Sequence, residues 1–371
     1  MKIVIGRGSL FDGLQGVFNV VPQKPTLPVL SNFLMKAEGS ILTVSGTDMD
    51  ISIITSLNCT VLEEGSVTVN AKKFFNIIRE LPEQDVTLSS EGERVSLSFK
   101  QGEASIMGIS ASDYPVLKET IDGISVALSG ADFVEMVDKT SFSVATERTR
   151  LALTGVYWQV NSEGMSMVAT DGHRLAIFEK KMGIESENTL ESIVPPKTLA
   201  QVVRYHSVGV ELKNVIFGKG AILFDFGTTI IFSKLIEGPY PNFRQVIPLG
   251  NSKKVYISTD EFADVVRRVS VLSSAITHQI RMSINPGEME VTTSNMDIGG
   301  EARETLPVNY SGEPMVVGYN AEFLSQILRA VDTEELVLEL ETPTAACIIR
   351  PVGEKASQEC YYLIMPLRLN D

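Results

Sequence analysis

Apolar residues recur along this chain in two rhythms. Stretches such as MKIVIG, LTVSGTDMDISI, VSLSF and AILFDF alternate apolar and polar positions, the period of a half-buried strand. Between them, LFDGLQGVF, ADFVEMVDKTSF and EFADVVRRVSVL return an apolar residue every third or fourth position, the period of a helix with one buried face. Polar turns rich in Gly, Asp and Asn separate the strands and favour antiparallel connections, so the pattern reads as α+β.

The pattern repeats three times. A strand followed by a helix opens each copy: MKIVIGRGSLFDGLQGVF, ISVALSGADFVEMVDKTSF and KVYISTDEFADVVRRVSVL. Ser9, Ser129 and Thr259 stand where an N-cap hydroxyl would receive the first free N–H groups. The buried faces are expected from Leu10, Leu14 and Val17, then Phe133, Met136 and Val137, then Phe262, Val265, Val266 and Val269. A strand, a tight polar turn and a second strand come next, at 42–53, 165–178 and 289–302, with Asp48, Asp171 and Asn295 spaced 123 and 124 residues apart. Each copy closes with another strand and helix, whose apolar faces are expected to open at Phe74, Leu199 and Phe323. Asn70 and Asn320 suit N-caps there, and Pro196 suits a first helical turn. Six similar units result, grouped as domains at 1–122, 123–250 and 251–371, with boundaries in the small polar stretches IDGI and LGNSK.

Composition adds limits. A 44% hydrophobic and 21% charged chain of 371 residues is that of a folded globular protein with more than one core. No apolar run approaches membrane-spanning length, and Arg7 and Gly8 interrupt the place where a signal peptide needs its apolar stretch, which leads to the expectation of a cytoplasmic protein without a membrane partner. Cys59, Cys347 and Cys360 are scattered, without metal-ligand or C-x-x-C spacing, so reduced thiols are expected. The net charge of −14 opposes nucleic-acid binding over the whole surface and confines any such binding to a local basic region.

Catalytic chemistry has one candidate, Thr170, Asp171 and His173. The Asp-Gly pair in TDGH is tight-turn chemistry, and His206 and His278 fall in no ligand spacing. The chain has no phosphate-cradling glycine loop or nucleophile elbow and shows no cofactor motif, so no enzyme, cofactor or metal is expected.

The stretches KPTLPVLSNFL at 24–34, SGTDMDISI at 45–53, VNAKKFFNIIRELP at 69–82, VATDGHRLA at 168–176, SKLIEGPYPNFRQVIP at 233–248 and YLIMPLRL at 362–369 resemble, in order and spacing, the sliding-clamp family of bacterial DNA polymerase III β subunits. ATDGHRLA together with a C-terminal M-P-x-R-L is the specific pair. The resemblance implies the DNA-clamp fold: three similar domains, helices lining a central channel, antiparallel sheets outside, and a ring-shaped head-to-tail homodimer. It implies a processivity factor that slides on double-stranded DNA without reading sequence. It also implies a clamp loader, and docking of the replicative polymerase and other replication and repair proteins through short peptides. A clamp-fold interaction scaffold that does not encircle DNA is the alternative.

Candidate channel residues are Lys24, Lys72, Lys73, Arg79, Arg148, Arg150, Lys197, Arg204, Arg267 and Arg268, most on or beside predicted helices. For any one of them a solvated surface charge is the plain alternative. By resemblance the peptide pocket takes Leu153, Thr170, Gly172, His173, Arg174, Leu175, Pro241, Val246, Met365, Pro366 and Leu367, with Arg368 at its rim. The family's dimer contact joins two edge strands, for which Ala104 and Ile106 on one side and Val271 and Leu272 on the other are the expected apolar seam. Glu147, Ala152 and Gln245 depart from residues found in similar clamps, and Asn370 and Asp371 extend past their usual end.

Overall fold

The computed structural model describes residues 1–147, 149–183, 189–353 and 356–369. The six expected helices are present: α1 Arg7–Phe18, α2 Ala71–Glu80, α3 Gly130–Thr140, α4 Pro196–Ser207, α5 Thr259–Ser270 and α6 Ala321–Ala330. Asn70 caps α2 by accepting from Lys73 N–H, and Asn320 caps α6 by accepting from the N–H groups of Glu322 and Phe323. Ser129 Oγ receives Asp132 N–H ahead of α3. The expected caps at Ser9 and Thr259 fail. Helix α1 starts two residues before Ser9, because Arg7 is drawn in to donate from Nε to Ile78 O and from Nη2 to Arg79 O, closing the free carbonyl end of α2. Thr259 lies inside α5, 4% exposed, with its hydroxyl unpartnered.

One further expectation shifts by a residue. Counting from the two asparagine caps, Phe74 of α2 corresponds to Leu324 of α6, and both are buried. Phe323 is half-exposed and turns elsewhere.

The chain divides into two compact units, residues 1–133 with 197–235, and 134–196 with 236–371, the division falling within α3. The first unit holds two antiparallel sheets. One has the order Thr60–Glu63, Lys2–Gly6, Asp85–Glu91, Arg94–Phe99, Gly102–Met107. The other runs Gly123–Val126, Asn214–Gly218, Ala221–Asp225, Thr229–Lys234, Ile51–Asn58, Ile41–Thr47, Asn32–Glu38, Gly65–Asn70. The second unit repeats the plan. Its eight-stranded sheet runs Leu190–Val194, Val156–Asn161, Gly164–Thr170, Arg174–Lys181, Gln358–Ile364, Cys347–Pro351, Glu335–Leu340, Lys253–Ser258, and its smaller sheet runs Gly300–Pro307, Glu288–Asn295, Gln279–Asn285, Met315–Asn320.

Each eight-stranded sheet therefore joins four strands of one sequence repeat to four of the next. The seams are the ladders that pair Thr229–Ser233 with Ile51–Thr55 and Arg174–Lys180 with Gln358–Ile364. Amphipathic helices supply the cores. On α5, Phe262, Val265, Val266 and Val269 are all buried, each stabilising by about 1.5–3 kcal/mol relative to an exposed side chain.

The three tight turns share one construction. Asp48 Oδ1 accepts from Asp50 and Ile51 N–H, Asp171 Oδ1 accepts from His173 and Arg174 N–H, and Asn295 Oδ1 accepts from Asp297 N–H. A short polar side chain that folds back on its own backbone favours such turns over a continuing strand.

Candidate functional site

In the second unit's large sheet, strand alternation sorts the residues between two faces. Trp158, Phe178 and Tyr362 lie on one face, where Phe142 packs on Tyr362 and the Tyr362 hydroxyl donates to Ala330 O at the end of α6. The opposite face carries Val168, Leu175, Ile177, Ile348, Tyr361 and Leu363 as a buried apolar cluster crossing the seam between the second and third repeats. Among the described residues no α-helix packs side chains on this cluster. Its lid consists of half-buried side chains, Tyr157, Tyr240, Phe243, Ile247 and Ala346. Tyr157 and Tyr240 stack at 5.0 Å, and burial raises both phenol pKa values, so both stay neutral.

Around this lid the surface stays apolar: Val246 is 59% and Met365 43% exposed, and Pro241 is exposed beside Tyr240. Arg244 crosses the edge to Glu179 at 2.9 Å. Half-buried rings and an exposed, adaptable methionine have the chemistry that Leu or Phe side chains of a partner would need.

Of the residues expected in the pocket, Leu175 belongs to the cluster and Pro241, Val246 and Met365 flank it. Thr170, Gly172 and His173 form the adjoining turn, where Gly172 adopts φ +90° and Thr170 Oγ1 donates to Arg174 O at 2.6 Å. Met365 N–H donates to His173 O at 2.9 Å, tying the C-terminal segment to that turn. Pro366 and Leu367 are half-buried; Leu367 pairs with Gly318 on the edge of the smaller sheet, and Arg368 is exposed. A methyl group at Gly318 would fall 2.7 Å from Leu369 Cδ2, so that side chain would have to shift. Leu153 is buried in the turn Leu151–Thr154, outside the cluster.

Arg174, also expected in the pocket, is buried. It is 5% exposed and lies on the face opposite Leu175, with Nε donating to Asp171 Oδ2, Nη1 to Gln326 Oε1 and Nη2 to Phe142 O. Burial lowers its pKa while the Asp171 carboxylate opposes that shift. With both carboxylate oxygens of Asp171 engaged and His173 stacked on Phe323, nothing in this turn resembles a poised acid and base.

Sequence reading missed the lid: Tyr157, Tyr240, Phe243, Ile247 and Ala346. The usable signal was the run PYPNF, two aromatics held by prolines in a stretch with neither strand nor helix period.

The expected basic residues are scattered. Lys72 and Lys73 are exposed in the first turn of α2, Lys24 is exposed in a loop, Arg204 is half-exposed on α4, and Arg150 is exposed near Gly172. Others already face carboxylates: Arg79 meets Glu80, Lys197 meets Asp48, Arg267 meets Asp264, and Arg268 makes a forked contact with Glu304. Arg148, Asn370 and Asp371 lie outside the described residues.

At the expected dimer seam, Ala104 and Ile106 do lie on an edge strand, Gly102–Met107, where Met107 is 60% exposed. Val271 and Leu272 do not. They sit in the turn that ends α5, and the edge strands of the smaller sheet in that unit are Gly300–Pro307 and Met315–Asn320. Val271, Ile276, Met296 and Ile298 are nevertheless all exposed.

Models of the DNA polymerase III beta subunit match the chain as N-terminal domain at 1–118, central domain at 127–242 and C-terminal domain at 244–368. The chain belongs to this family. The beta sliding clamp of Caulobacter vibrioides is 32% identical and that of Escherichia coli K12 30%, each aligned over the whole of both chains. Among solved structures, the Pseudomonas aeruginosa sliding clamp bound to griselimycin is 27% identical with a TM-score of 0.92, and covers all of both chains. The Caulobacter crescentus beta sliding clamp with PEG bound to its putative beta-motif tethering region is 31% identical with a TM-score of 0.92, also over both full chains. As a DNA polymerase III beta subunit, the chain is a sliding clamp in DNA replication, the processivity factor of the replicative polymerase.

Proposed function

We propose that two copies of this chain close head to tail into a ring around duplex DNA, with domains at 1–122, 123–250 and 251–371 and helices facing the channel. The observation that carries this reading is the pair of unfilled surfaces. The edge strand Gly102–Met107 has free main-chain groups in the first repeat, and Val271, Ile276, Met296 and Ile298 are exposed in the third. One surface on each end repeat lets two chains satisfy both contacts at once.

The channel would hold DNA topologically. Lys24, Lys72, Lys73, Arg150 and Arg204 contribute weak, sequence-independent attraction, while the ion-paired Arg79, Lys197, Arg267 and Arg268 contribute less, which suits sliding. Partners, the replicative polymerase and the clamp loader among them, dock short peptides on the Tyr240, Val246 and Met365 surface. The region named for beta-motif tethering in the Caulobacter crescentus clamp supports the presence of a docking site of this kind, without locating it. The protein works in the cytoplasm without catalysing a reaction; among the described residues no helix is long and apolar enough to cross a membrane.

The test loads the protein onto nicked circular DNA with a clamp loader and washes with salt. Retention on the circle and release after linearisation are expected. Release that ignores linearisation would point instead to a clamp-fold scaffold that does not encircle DNA. Solution mass should be that of two chains, and a persistent monomer at micromolar concentration would refute the ring.

A further inference from the structure

We infer that the cavity between α1 and α4 is a binding site for a small organic anion with an apolar body, a monocarboxylate whose charge meets Arg204. The cavity lies wholly within the first unit and measures about 590 Å³, a size that holds a small organic ligand. Half-buried Leu57 and Val210 and exposed Val208 give it apolar walls, and Tyr205 lines it as well. Arg204, half-buried at the same wall, has no ion-pair partner among the described residues. A guanidinium without an anion, set beside apolar walls, is a receptor for a carboxylate, which it can hold by two parallel hydrogen bonds. Tyr205, too, lacks an acceptor. Its hydroxyl is buried without a hydrogen bond, while Thr55 and Thr229, close by, bond each other at 3.1 Å.

The second unit shows what this joint is missing. Counted 123 residues on from the first repeat, Asp12, Gly13, Gly16 and Leu57 correspond to Glu135, Met136, Lys139 and Lys180. There Glu135 accepts from Lys180 Nζ at 3.3 Å and from Gln358 Nε2 at 2.9 Å, and Met136 is fully buried. Lys139 donates to Ala330 O at the end of α6. Acid and base at that joint are matched within the chain. In the first unit, leucine replaces the lysine, and among the described residues Asp12 has no cation. The Tyr205 ring takes the space that Gly16 opens, where a methyl group would fall 2.2 Å from the hydroxyl. Exposed Asp12, which also lines the cavity, repels a second negative charge and so selects a monoanion over a dicarboxylate or a phosphate monoester. The apolar walls favour a carboxylate with a hydrocarbon body over a DNA phosphodiester. The inference stands whether or not the ring closes.

The test titrates the full-length protein with naphthoate, followed by ligand-observed NMR, with a melting temperature recorded for each variant. Saturable binding to the parent is expected. Neutral naphthamide and the doubly charged naphthalenedicarboxylate should each bind about tenfold more weakly. Arg204→Gln should weaken naphthoate binding about tenfold with the melting temperature unchanged. Leu57→Lys, which rebuilds the ion pair of the second joint, should close the site to a similar degree, and if it unfolds the protein, Arg204→Gln and the amide decide. Met365→Asp, on the partner-docking surface, should leave naphthoate binding unaffected. Equal binding of acid and amide, or naphthoate binding that survives Arg204→Gln or a folded Leu57→Lys, would overturn the inference. Loss of binding in Met365→Asp would place the anion on the docking surface and overturn it too, and a parent that shows no saturation at millimolar naphthoate would leave the cavity to water alone.

Discussion

Replacing Asp171 isolates the charge at the centre of the second unit. Its carboxylate makes three contacts, to His173 N–H at 2.8 Å, Arg174 N–H at 3.0 Å and Arg174 Nε at 3.0 Å. The two side chains are only 13% and 6% exposed, so water cannot replace the lost partner. Removing one member of such a buried pair strands the other charge, at about 3–5 kcal/mol. Asp171→Asn should cost about 3 kcal/mol, because the amide can still hold the turn, as Asn295 does in the third repeat, but no longer balances the guanidinium. Asp171→Ala should cost about 1–2 kcal/mol more, for the two turn hydrogen bonds also lost. Asp48→Asn is the control. Its partner Lys197 is 49% exposed, and the change should cost no more than about 1 kcal/mol. Urea unfolding followed by the fluorescence of Trp158, the single tryptophan, reads the correct unit, because that residue is fully buried beside the strand ending at Thr170. An Asp171→Asn variant within 1 kcal/mol of the parent would refute the reasoning, since the guanidinium would then be shown not to need the carboxylate.

Tyr240→Ala should weaken partner-peptide binding at least tenfold by removing the stacked lid over the cluster, measurable by surface plasmon resonance, with circular dichroism unchanged. Ile106→Asp, or Val271→Asp with Leu272→Asp, should give monomers in light scattering; a dimer surviving both sets would remove these residues from the interface. Burial pushes the Cys347 thiol up to about 12 from its ordinary 9.0, so the folded protein keeps a proton that the unfolded chain loses. That contribution to stability is fully present below pH 9 and declines as pH rises towards 12, and Cys347→Ala should flatten the slope of unfolding free energy over that window. Because they are buried, Cys347 and Cys360 should resist a thiol reagent at pH 8 while half-buried Cys59 reacts, and denaturant should expose all three.

The repeating strand and helix pattern was legible because each element carries its own period, and the turns at Asp48, Asp171 and Asn295 because the side chain that makes them sits inside them. What failed was decided by distant residues. The start of α1 follows from Arg7 reaching 71 positions along the chain to Ile78 O, a preference that no local propensity encodes. Phe323 looked like a core position by spacing, but a neighbouring Arg174 gave its ring a cation to cover, and Leu324 took the core instead. The basic residues were all visible, and Arg79 and Arg267 meet acids one and three positions away, but the pairing of Arg268 with Glu304 and of Lys197 with Asp48 joins residues far apart in sequence. The aromatic lid stayed hidden because its members come from a strand, an irregular run and a loop that meet only after folding.

The two shared sheets carry a consequence for how such a chain could have evolved or be re-engineered. Because the ladders at Ile51–Thr55 and Arg174–Lys180 are interior seams, cutting between repeats would bare a raw row of amides and carbonyls flanked by isoleucines, a template for aggregation. A single repeat is thus not a portable part: shuffling, grafting or truncation has to preserve its neighbour's strands or cap the exposed edge with charge.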